Sequence, residues 1–187
     1  MQFLQNILQD SDRLSRLIYN ILDFEKLSSD RENLETQKHS LKKTLEKSIN
    51  SIQQIANNKG VVIINDKLTD FKLNYDEDRI LQVLTNLLSN AIKFCEPQKG
   101  EIKVEYSFLD GFIFVYVIDN GKSIPDEDLE YVFDKFYQSK NQNTIKPQGS
   151  GLGLAISKKI IEKHNGKIWA KNNEKNGVTL VFKLPFY

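Results

Sequence analysis

The sequence is poor in cysteine and histidine and carries almost no net charge. Its single cysteine, Cys95, excludes an internal disulfide and fits a reducing compartment. Acidic and basic residues balance to a formal charge of +1 without a basic stripe, which argues against nucleic acid as a partner. No apolar run approaches the roughly 18 residues that span a bilayer, and no signal peptide is visible. We therefore expect a cytoplasmic location and no membrane contact by this chain, which leaves open an anchor elsewhere in a longer parent protein.

Two asparagines and a lysine share one face of a predicted helix. Asn86 and Asn90 are four residues apart in an apolar stretch of helical period, and Lys93 follows one turn later. Mg²⁺ prefers oxygen ligands and keeps waters and phosphate oxygens in its shell, so two amide oxygens suit a Mg–triphosphate that the lysine neutralises. An ordinary solvated helix face is the alternative that this pattern alone leaves open.

A carboxylate follows a predicted strand. Residues 112–118 are rich in aromatic and β-branched side chains and lead into Asp119, Asn120 and Gly121. An ionised aspartate accepts the hydrogen bond that an adenine amino group donates, and a glycine lets a ring approach closely. The same three residues are ordinary turn chemistry, so this motif is weak by itself.

Closely spaced glycines precede an amphipathic helix. Gly149, Gly151 and Gly153 place the unpaired amide groups and the positive dipole end of that helix beside the loop, which favours phosphate binding. Their spacing differs from the dinucleotide and Walker patterns, so neither of those interpretations transfers. A flexible loop before a helix is the alternative.

Four segments resemble, in order and spacing, the characteristic boxes of sensor histidine kinases. Residues 86–94 resemble the N box, 119–121 the first glycine box, 133–137 the F box and 149–153 the second glycine box. The resemblance covers roughly residues 32–187. It implies a catalytic domain of α/β (α+β) Bergerat type, a two-layer sandwich with a mixed β-sheet and helices on one face. It also implies ATP and Mg²⁺ as cofactors, with the nucleotide under a mobile lid between Phe136 and Gly149.

Carried over residue by residue, the resemblance assigns roles within the four boxes. Asn86 and Asn90 would ligate Mg²⁺, Lys93 would contact phosphate and Asp119 would bind the adenine amino group. Phosphoryl transfer is mainly positioning and charge neutralisation, so little acid–base chemistry is expected from the domain. The implied catalytic residues are Asn86, Asn90 and Lys93, and the implied nucleotide-binding residues are Phe94, Asp119, Gly121, Ile124, Phe136, Tyr137, Gly149, Gly151, Leu152 and Gly153.

Two positions depart from the family pattern. Ser123 stands where the first glycine box usually has its second glycine, and a serine held at positive φ would cost on the order of 1 kcal/mol. Gln138 stands where many relatives have an arginine directed at the terminal phosphate, and Lys135 or Lys140 are the nearby cations that could replace it. Both departures predict weakened or altered nucleotide affinity.

Neither histidine resembles a phosphoacceptor. In the family that histidine lies on an exposed helix and is followed by an acidic residue, a basic residue and proline, a pattern absent after His39 and after His164. His39 precedes a helix that Ser40 is predicted to cap, and His164 ends a helix that Asn165 and Gly166 would terminate in left-handed geometry.

The N-terminal segment is predicted to be an amphipathic helix that resembles the second helix of the kinase dimerisation and phosphotransfer hairpin. We expect two parts, residues 1–31 as this helix and residues 32–187 as the catalytic domain, in a chain that begins after the acceptor. The resemblance implies three partners, namely the missing acceptor helix, a response regulator receiver domain and a second copy of the parent. A free-standing helix that binds another partner is the alternative. The apolar positions at helical spacing include Leu4, Ile7, Leu14, Ile18 and Ile21.

Periodicity and turn residues predict the remaining elements. Asp76 is the expected cap of the asparagine-bearing helix, Trp169 and Phe182 are expected in the core, and the polar segment 139–148 is expected to be a mobile loop. Helices are predicted at 41–58 and 77–95, and strands at 34–38, 61–65, 71–75, 101–108, 112–119, 167–171 and 178–184.

Three functions remain open from the sequence. The first is ATP-dependent transfer to a histidine that this chain lacks. The second is a degenerate nucleotide sensor or scaffold, which Ser123 and Gln138 make credible. The third, ranked lower, is an ATPase of the same superfamily, since these enzymes generally use a glutamate base in the helix of Asn86 and Gln82 cannot abstract a proton.

Overall fold

The computed structural model describes residues 2–29, 33–65, 69–138 and 150–186. Within these ranges the helices are α1 (Gln2–Ser28), α2 (Leu41–Lys59), α3 (Glu77–Phe94) and α4 (Gly153–Lys163). The strands are β1 (Gln37–Ser40), β2 (Val62–Ile64), β3 (Lys72–Tyr75), β4 (Glu101–Leu109), β5 (Phe112–Asp119), β6 (Lys167–Asn172) and β7 (Val178–Pro185). The predicted helices and strands are thus confirmed, with ends that differ from the prediction by at most three residues.

The main sheet is mixed, as the resemblance implies. Its strand order is β2-β4-β5-β7-β6, with β2 parallel to β4 and the other pairs antiparallel, while β1 and β3 form a separate antiparallel pair. Asp110 and Gly111 join β4 to β5 with φ values of 50° and 75°. Two successive positive φ values are the geometry of a tight hairpin turn, because its twist matches the twist of the strands.

Helix α3 is fixed at both ends by charged side chains. The Asp76 carboxylate accepts a hydrogen bond from the Arg79 backbone N–H at 3.1 Å, which confirms the predicted cap. At the other end, Lys59 Nζ donates to the carbonyl oxygens of Ile92 at 2.8 Å and Lys93 at 2.6 Å. A cation at a helix C-terminus satisfies carbonyls that lack intrahelical partners and opposes the negative end of the dipole.

The core lies between the main sheet and helices α2, α3 and α4, which contact its strands. Along β5, buried residues alternate with half-buried ones, which is the period of a strand with one covered face. The fully buried residues of the core include Leu84, Leu87, Leu88, Ile102, Ile113, Val117, Ile160 and Phe182. The predicted Bergerat-type sandwich is therefore confirmed.

Of the two aromatic residues expected in the core, Phe182 lies there and Trp169 does not. Phe182 is fully buried, whereas Trp169 is half-buried and pairs with Val181, the neighbour of Phe182 that points to the opposite face of the sheet. There its ring meets the Phe114 ring edge to face, with 6.2 Å between centroids. The prediction for Trp169 was wrong because hydrophobicity alone does not distinguish the two faces of a strand.

Among the described side chains of helix α1, those buried against the domain lie in its last turns. Phe24 and Leu27 are buried, and the helix contacts α4. Within the described ranges, no helix combines the length and the apolar character needed to cross a bilayer. The large apolar side chains that remain exposed along α1 are Leu4, Ile7, Leu8, Leu14, Ile18, Tyr19, Ile21 and Leu22.

Candidate active site

The asparagine face of α3 meets the start of α4. Asn86 Nδ2 donates to the Gly153 carbonyl oxygen at 3.2 Å and to Ser157 Oγ at 3.4 Å. Ser157 Oγ donates to the same carbonyl at 3.0 Å, so three residues share one small network. Asn90 follows one turn later on α3 and is half-buried. The structure therefore joins the N box to the second glycine box through Asn86.

Helix α4 begins without a side-chain cap. Leu152 occupies the capping position and makes no side-chain cap hydrogen bond, in contrast to Asp76 at the start of α3. Leu152 is itself buried, and its backbone N–H donates to Ser150 Oγ at 3.2 Å. The first turn of α4 thus presents amide donors to an external acceptor. Gly149, the first glycine of this box, lies outside the described residues.

Gly151 joins the second glycine box to the F box. Its φ is 68°, and its carbonyl oxygen accepts the Phe136 backbone N–H at 3.0 Å. A Cβ at Gly151 would lie 2.8 Å from Phe136 Cα and 3.0 Å from the Tyr137 carbonyl oxygen, so the two segments approach too closely for a side chain. Phe136 has a φ of 61° and is 60% exposed. Burial, followed by a hydrogen bond to Asp128, raises the pKa of Tyr137 to about 12.

The C-terminal end of α3 meets the first glycine box. A Cβ on Gly121 would lie 2.6 Å from the Phe94 carbonyl oxygen, so glycine is required for this contact. Lys93 Nζ lies 4.7 Å from the centroid of the Phe94 ring. Burial lowers the pKa of Lys93. One helix therefore positions Asn86, Asn90, Lys93 and Phe94 between the two glycine boxes.

Asp119 is a buried carboxylate with one oxygen fixed by the backbone. Its Oδ1 accepts from the Gly121 N–H at 2.8 Å and from the Val178 N–H at 3.3 Å. The residue is 5% exposed, and burial raises the pKa of its carboxyl despite these two bonds, which lower it. Among the described residues, Oδ2 has no such backbone donor. It is the oxygen that Asp119 can offer to another molecule.

The serine that replaces a glycine is not strained. Ser123 does not adopt a positive φ. The conformational cost predicted for a serine at this place therefore does not arise. The following residue, Ile124, is half-buried and packs against the core. The predicted loss of affinity from strain at Ser123 therefore has no structural basis.

Of the two lysines predicted as possible substitutes for the missing arginine, the structure describes Lys135 but not Lys140. Lys135 Nζ lies 4.1 Å from the centroid of the Phe24 ring and 3.6 Å from Glu25 Oε1, both on α1. It therefore contacts the N-terminal helix. Lys140 and the rest of the predicted loop 139–148 lie outside the described residues.

A family model described as histidine kinase-, DNA gyrase B- and HSP90-like ATPase matches residues 75–187. The chain belongs to this family. It carries the ATP-binding catalytic domain of a sensor histidine kinase, as the four boxes indicated.

Relatives of this catalytic domain include both sequences and solved structures. The sensor histidine kinase WalK of Bacillus subtilis is 31% identical over 187 residues, which are 99% of this chain and 30% of that protein. The catalytic domain of histidine kinase ThkA is 32% identical, with a TM-score of 0.70 over 82% of this chain and 97% of that one. Histidine kinase ThkA in complex with response regulator TrrA is 28% identical, with a TM-score of 0.79 over the whole of this chain and 51% of that one. The chain thus spans about a third of the length of the Bacillus subtilis relative.

Sequence motifs did not identify several residues that hold the kinase boxes in place. At the end of β6, Asn172 bonds to Ile124, and the next residue, Asn173, bonds to the last residue of β5. Asp23 of α1 bonds to Arg79 of α3. In the sequence they are only a pair of polar residues at a strand end and one of several carboxylates on an amphipathic helix. Neither pattern specifies a contact partner.

Proposed function

We propose that the cleft between α3, the 119–124 segment and the start of α4 binds ATP with Mg²⁺, and that the parent protein transfers the terminal phosphate to a histidine on another helix. The observation that carries this proposal is the direct contact of Asn86 with Gly153. It places the helix face with the amide oxygens beside the uncapped helix start that suits phosphate.

The side chains present suit magnesium held jointly with phosphate. The amide nitrogen of Asn86 is engaged by Gly153 and Ser157, which leaves its oxygen as the metal ligand, and Asn90 adds a second amide oxygen one turn later. Among the described residues, no group of three or more histidine, cysteine, aspartate or glutamate side chains could form a metal cage. A metal at this place would therefore complete its shell with phosphate oxygens and water.

The opposite end of the cleft suits adenine. Asp119 Oδ2 is an acceptor at a buried position. The absence of a Cβ at Gly121 lets the end of α3, with Lys93 and Phe94, approach the segment that follows Asp119. Lys93 supplies a positive charge between the two ends, where it would neutralise phosphate. The remaining predicted residues, Phe94 and Ile124 among them, would line the nucleotide.

The phosphate acceptor would have to come from another helix. His164 is 7% exposed, and both ring nitrogens are engaged, Nε2 by the Asp76 N–H at 3.1 Å and Nδ1 by the Ile160 carbonyl oxygen at 2.8 Å. His39 lies in β1, with its ring 5.5 Å from the Tyr75 ring between centroids. Neither is on an exposed helix, so both remain poor acceptors.

Two observations weigh against the alternative functions. Gln82, one turn before Asn86, is an amide that cannot take a proton from water, and its Nε2 donates to Asp23 Oδ2 at 2.7 Å. Ser123 is unstrained, which removes one reason to regard the site as degenerate. Phosphoryl transfer is therefore the better supported function.

The exposed apolar face of α1 suggests which partners the parent protein has. Its apolar side chains suit a second helix, and we propose the acceptor helix and a second copy of the parent as their cover. The relative ThkA is described in complex with the response regulator TrrA, which supports a receiver domain as the next recipient of the phosphate.

Calorimetric titration of the purified chain tests the binding step. We expect ATP to bind more tightly with Mg²⁺ than with a chelator, and more tightly than GTP. Equal affinity for the two nucleotides, or the same ATP affinity with and without Mg²⁺, would contradict the proposed site.

A further inference from the structure

Two adjacent asparagines, Asn172 at the end of β6 and Asn173 directly after it, anchor the segment that begins at the last residue of β5. This segment, residues 119–124, is called the 119–124 loop. At its start, Asn173 Nδ2 donates to the Asp119 carbonyl oxygen at 2.8 Å. The Asn173 side chain is itself oriented by Thr179, whose Oγ1 donates to Asn173 Oδ1. The beginning of the loop is thus tied to the hairpin beside it.

Asn172 holds the far end of the same loop with both halves of its amide. The Ile124 N–H donates to Asn172 Oδ1 at 3.0 Å, and Asn172 Nδ2 donates to the Ile124 carbonyl oxygen at 2.7 Å. The same Nδ2 donates to Asp126 Oδ1 at 2.9 Å. The Asn172 amide therefore satisfies both the N–H and the C=O of Ile124, as the backbone of a neighbouring strand would. It also contacts Asp126, the first residue of the next turn.

The two hydrogen bonds between Asn172 and Ile124 lie next to Ser123, where the sequence departs from the family pattern. Ser123 immediately precedes Ile124 and occupies the place of a glycine without adopting positive φ. The loop between Asp119 and Ile124 is short, so fixing its two ends limits the conformations that its middle residues can adopt. The two asparagines supply those fixed ends from one hairpin.

We propose that Asn172 is a positioning residue for nucleotide recognition, which holds the 119–124 loop so that Asp119 and Ile124 face the base together. The inference rests on the proposed ATP site. A loop held in its binding conformation before the ligand arrives loses less conformational entropy on binding. Asn172 therefore acts on affinity and base selectivity through the loop and does not itself touch the nucleotide.

Three single variants test the role of Asn172. Asn172→Ala removes all three hydrogen bonds, while Asn172→Asp keeps the shape and the acceptor for the Ile124 N–H but removes the donor and places a second carboxylate beside Asp126. The matched control is Asn176→Ala, which removes an exposed asparagine from the connection that follows Asn172. For each protein, the dissociation constants for ATP and GTP and the midpoint of thermal unfolding without nucleotide are measured.

We expect Asn172→Ala and Asn172→Asp to bind ATP about tenfold more weakly, the loss that corresponds to one or two hydrogen bonds. GTP binding should change little, so the preference for ATP over GTP should fall, and Asn176→Ala should match the wild type. An unchanged ratio of the two dissociation constants in both Asn172 variants would overturn the inference. Loss of cooperative unfolding in both would assign Asn172 a role in folding and would also overturn it.

The wild-type titration separates this inference from the proposed function. If the wild type binds neither nucleotide, the proposed site fails and the inference fails with it. If the wild type prefers ATP and Asn172→Ala keeps that preference, the site stands and only the role of Asn172 is contradicted.

Discussion

Asp23 of α1 and Arg79 of α3 form an ion pair at the junction between the N-terminal helix and the catalytic domain. Arg79 Nη1 lies 2.7 Å from Asp23 Oδ1, and the Asp23 side chain is 5% exposed. The other carboxylate oxygen accepts from Gln82 Nε2 at 2.7 Å. Because Gln82 and Asn86 lie one turn apart on α3, the helix that carries the proposed metal ligands is tied directly to α1.

Removal of the Asp23 carboxylate should destabilise the protein. Asp23→Ala removes a buried carboxylate that contacts both Arg79 and Gln82. Breaking a buried pair costs about 3 kcal/mol. Urea denaturation would measure the free energy of unfolding. The control is Asp10→Ala, an exposed carboxylate on the same helix. Equal unfolding free energies for the two variants would show that the pair contributes nothing.

The second prediction concerns the base of the nucleotide. Asp119→Asn keeps an Oδ1 acceptor for the Gly121 and Val178 N–H groups but replaces Oδ2 with an amide donor. The fold should persist, whereas ATP affinity should fall about tenfold or more because a hydrogen bond to a charged acceptor is lost. Titration with ATP and GTP measures the effect. A variant that retains the wild-type preference for ATP would refute the role of Asp119.

Asn90 is proposed to act through the metal alone. Asn90→Ala should reduce the gain in ATP affinity that Mg²⁺ provides by about tenfold, the loss expected for one contact to a charged group. Affinity for ADP in the presence of a chelator should stay near the wild-type value. Ser89→Ala, at the exposed neighbouring position on α3, is the control. Full retention of the magnesium effect in Asn90→Ala would show that this ligand is wrongly assigned.

Neutral His164 connects the end of α4 to the start of α3 by two hydrogen bonds. Its Nδ1–H donates to the Ile160 carbonyl oxygen, so Nε2 is the unprotonated nitrogen that accepts the Asp76 N–H. Burial lowers the pKa of His164, and the weaker effects of Ile160 and the Asp76 charge oppose that shift. Asn165 follows with a φ of 57°, which confirms the left-handed helix end expected from the sequence.

Stability should therefore fall as the solution is acidified through the ordinary range of histidine. Because the folded pKa of His164 is depressed, the unfolded chain takes up a proton near pH 6.5 before the folded one does, and the free energy of unfolding decreases below that pH. The slope from one histidine cannot exceed about 1.4 kcal/mol per pH unit. Denaturation between pH 7.5 and 5.5 should give a smaller slope for His164→Gln than for the wild type. Identical slopes would contradict this account.

The sequence predicted the fold well because local signals agree with the tertiary structure. Asp76 caps α3, Asp110 and Gly111 form the β4–β5 turn, and strand patterns recur at the expected places. The prediction for Trp169 was wrong because a strand that carries apolar residues on both faces gives no sign of which face is covered.

The proposed site was predictable only where residues act on the ligand directly. Asn86, Asn90 and Asp119 belong to short motifs whose chemistry can be inferred from residue type and spacing. Asn172 and Asp23 act over long sequence separations, 48 residues to Ile124 and 56 to Arg79, and no local pattern specifies such pairs. Their roles depend on the three-dimensional arrangement of α1 and of the β6–β7 hairpin.

Transfer of label from ATP in trans is the most direct test of the proposed function. The chain is incubated with Mg²⁺ and ATP labelled at the terminal phosphate, alone and with a separate polypeptide that carries the acceptor hairpin of the parent kinase. We predict acid-labile, base-stable label on the hairpin and none on the chain itself, since neither His39 nor His164 lies on an exposed helix. Acid-labile label on the chain that His39→Ala or His164→Ala abolishes, or a hairpin that stays unlabelled, would contradict the account.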